Sequence, residues 1–244
     1  MKVEKEWMNI SDMMSGLMMI FLFIAISFMI EVEDDKNRAE ALAQMYKKSQ
    51  DSIKEIVVTY QASQKMLNRD LNREFKDDLK RWGAEITKDN IFRFNSPEVL
   101  FKTGSSKISR EFRAILNDFF PRYIHLLTSK RYINEIDEIR IEGHTTNNWG
   151  RSKFSKNMIY LKNMKLSQNR ANNVLAYCYQ IQTTNKKWLE KKLRANGMAF
   201  SKLIYTKSNK IDYHKSKRVD FKVVTKAQEK IYKIIEQLNY PISK

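Results

Sequence analysis

The chain has 244 residues and a formal net charge of +17, from 45 basic and 28 acidic side chains. The excess is uneven: residues 1–83 hold 13 basic and 14 acidic groups, whereas residues 84–244 hold 32 and 14. The second part therefore suits an acidic partner such as nucleic acid, anionic lipid or a cell-wall polymer. A single cysteine, Cys178, excludes an intrachain disulfide, and six glycines with three prolines exclude a low-complexity chain.

Met13 to Ile30 is an uncharged, mostly apolar run. At about 1.5 Å per residue it covers roughly 27 Å, enough for a hydrocarbon core. A signal peptide would have a shorter apolar stretch followed by a small-x-small cleavage site, but "SFMIEVEDD" follows instead. A retained transmembrane helix is expected over residues 10–30, after a short tail over residues 1–9. Lys2 and Lys5 precede the span, and Glu31, Glu33, Asp34 and Asp35 follow it. Positive flanks stay in the cytoplasm, so the N-terminus is expected inside the cell and the rest outside. That placement removes the basic part from cytoplasmic nucleic acid, and no nucleic-acid partner is expected.

Asp12 stands at the start of the span. As an interfacial residue it would complement the helix macrodipole. As an ion carrier it would load and release a proton, because carboxylates inside spans mark ion pathways and apolar surroundings raise their pKa. A lone acid builds no pathway. A partner's helices would supply the other wall, and Ser11, Ser15 and Gly16 are small enough for close contact.

Residues 31–83 form the connector. Between residues 36 and 82 there is no glycine or proline, and apolar residues recur at steps of three and four from Leu42 through Ile53, Tyr60, Leu71 and Phe75 to Trp82. The pattern predicts one long amphipathic helix or two collinear ones, ending at Gly83. Such a stripe needs cover. A second copy of the chain would supply it in a homodimer, or the stripe would fold back on the C-terminal domain.

From Asp89 the texture changes. "IFRFNSPEVLFKTGSSKIS" reads as a strand, a turn at Ser96-Pro97 and a second extended piece. "REFRAILNDFFPRYIHLLTSK" reads as a helix kinked or split at Pro121. "IDEIRIEGHT" alternates like a half-buried strand. "LSQNRANNVLAYCYQIQ" is helical with Ser167 as N-cap, and "KKWLEKKL" is a shorter helix. "KRVDFKVV" is a strand, and "AQEKIYKIIEQL" a closing helix. The fold class expected is α+β: one transmembrane helix, a long helical connector, and a two-layer α/β sandwich over residues 84–244.

Two resemblances follow from these motifs. Trp7 to Phe21, "W-x4-D-M-M-x-x-L-M-M-x-F", resembles the span of the flagellar stator subunit MotB, with Asp12 at the place of the family's ion-carrying acid. "FKTGSSKIS", "IRIEGHT", the N-x-x-L-S-x-x-R-A-x-x-V pattern from Asn163 to Val174, and "KRVDF" resemble, in order, the elements of the OmpA-like peptidoglycan-binding domain. That resemblance implies a wall peptide as ligand. Arg170 would hold a carboxylate with its planar fork, Asn163 would bond peptide amides, and Leu166 would pack the site from beneath. Leu166 reads equally well as a core residue. Lys162 and Arg218 complete the expected binding set.

Two departures stand out. The family carries an acid after Gly-His-Thr, where it receives an ammonium or amide of the wall peptide; here the position is Thr146. "RSKFSKNMIYLKN" looks like a basic insertion at the rim of the site. The combined plan resembles the MotB-like ZorB family of Zorya anti-phage defence. That implies a ZorA-like polytopic membrane partner in a pentameric ring around a homodimer, and proton flow past Asp12. A flagellar-type stator and a passive tether share the plan. His125, His144 and His214 suggest no metal site, Cys178 reads as core, and no catalytic motif is present. Neither a cofactor nor an enzymatic activity is expected.

Overall fold

The computed structural model describes residues 2–150, 154–182 and 184–226, with side chains from Met13 onward. Helix α1 runs from Lys2 to Trp82 without interruption. The span and the connector are thus one helix, because nothing between residues 17 and 82 breaks the hydrogen-bond ladder. It stops at Gly83, whose φ of +58° is the left-handed conformation favoured at helix ends.

The chain divides into two compact units within α1, between Glu55 and Ile56. In the first, every side chain from Met13 to Ile30 is exposed. This part holds an 18-residue window of mean hydropathy 2.4, none of it covered by the chain itself. By length and composition the helix can cross a membrane.

The second unit begins in the helix, which places its boundary well before residue 84. Leu67, Leu71, Phe75 and Trp82 lie in the core beside Phe92, Phe119 and Phe221. The Phe75 ring meets Phe92 edge-on at 5.2 Å and Phe119 at 5.5 Å. Polar clasps flank this seam. Asn68 Nδ2 donates to Thr87 O at 2.8 Å, Tyr132 Oη donates to Asp70 Oδ2 at 2.6 Å, and Arg122 reaches Glu74 and Asp78. The last four turns of α1 therefore fold back on their own domain. Farther up the stripe, Leu42, Met45, Tyr46, Val57 and Tyr60 are exposed.

The sheet has five strands in the order β1-β2-β5-β3-β4. They are β1 Ala84–Ile86, β2 Ile91–Phe94, β3 Ile136–Gly143, β4 Leu193–Gly197 and β5 Val219–Thr225. Every pairing is antiparallel except β3 with β4. A parallel pair needs a long crossover, supplied here by α4 Lys156–Ile181 and α5 Lys186–Lys192. With α3 Arg110–Leu127, α4 forms the helical layer of a two-layer sandwich. Two short helices, α2 Pro97–Leu100 and α6 Tyr213–Ser216, complete the described elements.

Three sequence expectations change. Helix α3 is continuous, with Pro121 inside it. Helix α4 starts eleven residues before Ser167, at an N-cap formed by Ser155, whose Oγ accepts from Met158 N at 3.3 Å. Most of the apparent insertion is thus the first turns of α4. Strand β4 is an addition to the expected elements, and its "LRANG" lacks the alternation that marks a strand. The expected closing helix lies outside the described residues.

Candidate functional site

Helix α4 carries the site and is set by two close approaches. A Cβ on Gly143, at the end of β3, would lie 2.3 Å from Ser167 O. One on Gly197, at the end of β4, would lie 2.6 Å from Gln168 N. Only hydrogen fits at either position. The contact is then hydrogen-bonded: Ala199 N donates to Ser167 Oγ at 2.9 Å, and Gly197 N donates to Gln168 Oε1 at 2.7 Å. Fixing residues 167 and 168 fixes the direction of Arg170 within the same turn.

Arg170 is 8% exposed. Its Nε donates to Ser105 O at 2.9 Å, and its guanidinium carbon stands 4.8 Å from the centroid of the Phe101 ring. Asn173 Nδ2 donates to Ser106 O at 2.8 Å, clasping the same loop. Gly104 turns that loop at a φ of +72°. Among the described residues no carboxylate pairs with Arg170, and burial pulls its pKa down to about 10. A buried guanidinium with no anion is an arrangement that a ligand carboxylate would complete.

The guanidinium borders a cavity of about 540 Å³. One wall is Phe101, Thr103 and Gly104; a second is Thr145 to Gly150 without Asn147; a third is Asn163, Leu166 and Arg170 of α4. The fourth comes from Glu98 and the segment Tyr213, His214 and Lys217. Among the described residues Thr145 Oγ1 is buried without a hydrogen-bond partner. Asn163 is buried, its Nδ2 donating to Ile159 O at 3.0 Å. Thr146 is 6% exposed.

Four of the residues expected from the sequence therefore converge: Thr146, Asn163, Leu166 and Arg170. Leu166 is half-buried and lines the cavity. Lys162 is displaced from the lining. Its Nζ lies 4.5 Å from the Phe154 ring centroid and 5.8 Å from that of Trp149, which does line the cavity. Arg218 is elsewhere: it is buried beneath the sheet end, its Nε donating to Asp220 Oδ2 at 3.1 Å and its Nη1 to Lys202 O at 3.1 Å. Its guanidinium is therefore held by groups of the protein itself and does not line this cavity. Asp12 belongs to α1, but its side chain lies outside the described residues.

Arg218 belongs to a buried polar cluster. Asp220 also receives Arg93 Nε at 3.0 Å. His144 Nε2 stands 3.5 Å from Glu142 Oε2 and 3.4 Å from Asp220 Oδ2. Ligand atoms of Glu142, His144 and Asp220 fall within 4.8 Å of one another. Both guanidiniums bond Asp220, Arg93 also reaches Glu85 Oε1 at 3.3 Å, and Glu142 has His144 beside it.

The fourth wall and the aromatic rim are not marked by a motif of their own. Phe101 and Gly104 fell inside a recognised motif. Nothing local marks Tyr213, His214 and Lys217, which join the site only because β5 returns beside β3.

The fold and the cavity define an OmpA-type domain carried on an apolar helix, and residues 100–216 match the OmpA family. Over 237 residues the chain is 40% identical to the Zorya protein ZorB of Escherichia coli, covering 96% of this chain and 94% of the relative. The chain belongs to the ZorB family. Solved structures with weaker similarity include a MotB-like protein from Desulfovibrio vulgaris, at 19% identity and a TM-score of 0.47, covering 68% of this chain and 96% of that one. Another is the cell wall anchor of the T6SS from Pseudomonas aeruginosa, at 19% identity and a TM-score of 0.43, covering 64% and 96%.

Proposed function

We propose that the chain is the wall-anchored stator subunit of a proton-driven inner-membrane complex acting in Zorya defence. The observation that carries the anchoring part is Arg170, a buried cation that borders a cavity and has no counter-anion among the described residues. A stem peptide of peptidoglycan brings carboxylates, and a bidentate guanidinium–carboxylate pair would close the site. Thr145 and Asn163 offer neutral hydrogen-bonding groups for the peptide amides, and Leu166 and Phe101 supply apolar contact.

The membrane part rests on the exposed apolar helix and on the acid at its start. The helix crosses the membrane once with its N-terminus in the cytoplasm, and the OmpA-type domain works in the periplasm. Asp12 carries the proton between the two sides. The other wall of its path belongs to a ZorA-like polytopic partner, arranged as a ring of five around two copies of this chain. The exposed stripe around Leu42, Met45, Tyr46 and Tyr60 pairs those two copies.

Two substitutions separate the parts. Arg170→Ala should release the protein from sedimented peptidoglycan; full retention would remove the anchoring role. Asp12→Asn should leave wall retention and complex assembly intact but abolish protection against phage. An Asp12→Asn complex that still protects fully is a tether without ion flow.

A further inference from the structure

The charges around the cavity say which form of wall peptide it accepts. The buried lining groups are one cation, Arg170, and neutral residues: Thr145, Thr146 and Asn163. Lys217 adds a second cation at the fourth wall. Glu98 is the one acid among the described lining residues, and it is 64% exposed at the side chain, 3.1 Å from His214 Nε2. A solvated carboxylate that already faces an imidazole offers little to an incoming cation. From Gly143 to Leu189 the sequence contains no Asp or Glu, although it contributes much of two walls.

A ligand ammonium entering this cavity would leave water, meet neutral acceptors at the buried walls with Glu98 at the exposed rim, and face the Arg170 guanidinium. Desolvation and like-charge repulsion both oppose it. An amide at the same point would lose no charge, and its N–H and C=O match the hydroxyl of Thr145, which is buried and has no partner among the described residues.

We infer that the cavity selects a stem peptide whose diamino acid has its side-chain amine acylated, as in a cross-link, and that Thr146 is the specificity-determining residue. The inference rests on the peptidoglycan reading above and sharpens it. A free ammonium marks a stem that has not accepted a cross-link. An acylated amine marks one built into the covalent network. A subunit that must resist torque then grips the part of the wall that bears load.

The test uses the full-length protein in detergent and two synthetic peptides. Both end in the same dicarboxylate diamino acid, one with its side-chain amine free and one with it acetylated. Titration calorimetry should find the acetylated peptide bound about tenfold more tightly. Thr146→Asp should invert the order by supplying a carboxylate for the free ammonium. Equal affinities, or tighter binding of the free amine, overturn the inference while leaving the wall-binding function standing. Binding of neither peptide by the wild type overturns both. Should Thr146→Asp fail to fold, the wild-type comparison decides alone. If the variant folds and keeps the wild-type order, residue 146 does not set the preference.

Discussion

At the scale of single residues, the domain hides two different kinds of charge. Arg170 has no carboxylate partner among the described residues and borders a cavity. The cluster of Arg93, Glu142, His144, Arg218 and Asp220 sets cations and carboxylates facing one another inside the domain. Its consequence is pH dependence. Burial lowers the His144 pKa below 6.5, with Arg218 acting in the same direction and Glu142 and Asp220 against it. The unfolded chain therefore binds more protons than the folded one below about pH 6.5, so stability present at neutral pH is lost as pH falls. Burial would raise the Glu142 pKa, but His144, Lys202 and Lys222 together hold it below 4.5, which extends the loss to lower pH. The thermal midpoint of the wild type should drop between pH 7.5 and 5. In His144→Gln the midpoint should be flatter over that interval, whatever its absolute value. The sequence made Arg170 legible because a spaced motif surrounds it. It made Arg218 look equivalent, since a strand-borne arginine near a motif carries no mark of which neighbour it meets. Asp220 lies two residues on and receives Arg218 locally, and the pairing of β2 with β5 brings Arg93 to the same carboxylate.

At the scale of elements, α4 and the strand ends it touches decide the geometry of the site. The helix stands so near β3 and β4 that a methyl group at either Gly143 or Gly197 has no room. Gly143→Ala should destabilise the domain by about 1–3 kcal/mol and should weaken wall retention beyond what the stability loss explains, because α4 must shift and Arg170 moves with it. Urea unfolding followed by tryptophan fluorescence, beside a peptidoglycan pull-down, separates the two effects. The strands and helices themselves were readable from periodicity, as Ile136–Gly143 and Arg110–Leu127 illustrate. The start of α4 was not. Its first turns are basic and carry exposed Met158, Tyr160 and Leu161, so they show no buried stripe, and the family spacing made them resemble a loop. Strand β4 was hidden for the complementary reason: five residues with two small ones, held in register by β3 on one side only.

At the scale of the whole molecule, composition separated a neutral first part from a basic second part, and it located the apolar helix. It could not decide what covers the connector's stripe, because one periodic face serves a second copy and a fold-back equally well. The answer differs along the helix: Leu67, Leu71, Phe75 and Trp82 are buried against the domain, and the residues from Leu42 to Tyr60 named above are exposed. This has a practical outcome for anyone cutting out a soluble fragment. Each of those four buried side chains is worth about 1.5–3 kcal/mol, and together they rival the whole stability of an ordinary domain, about 5–15 kcal/mol. A fragment starting at Gly83 would leave Phe92 and Phe119 open to solvent, and it should aggregate or bind a hydrophobic dye. A fragment starting at Ile56 should be monodisperse by light scattering and melt cooperatively. The scissors belong inside the helix, well upstream of the glycine that ends it.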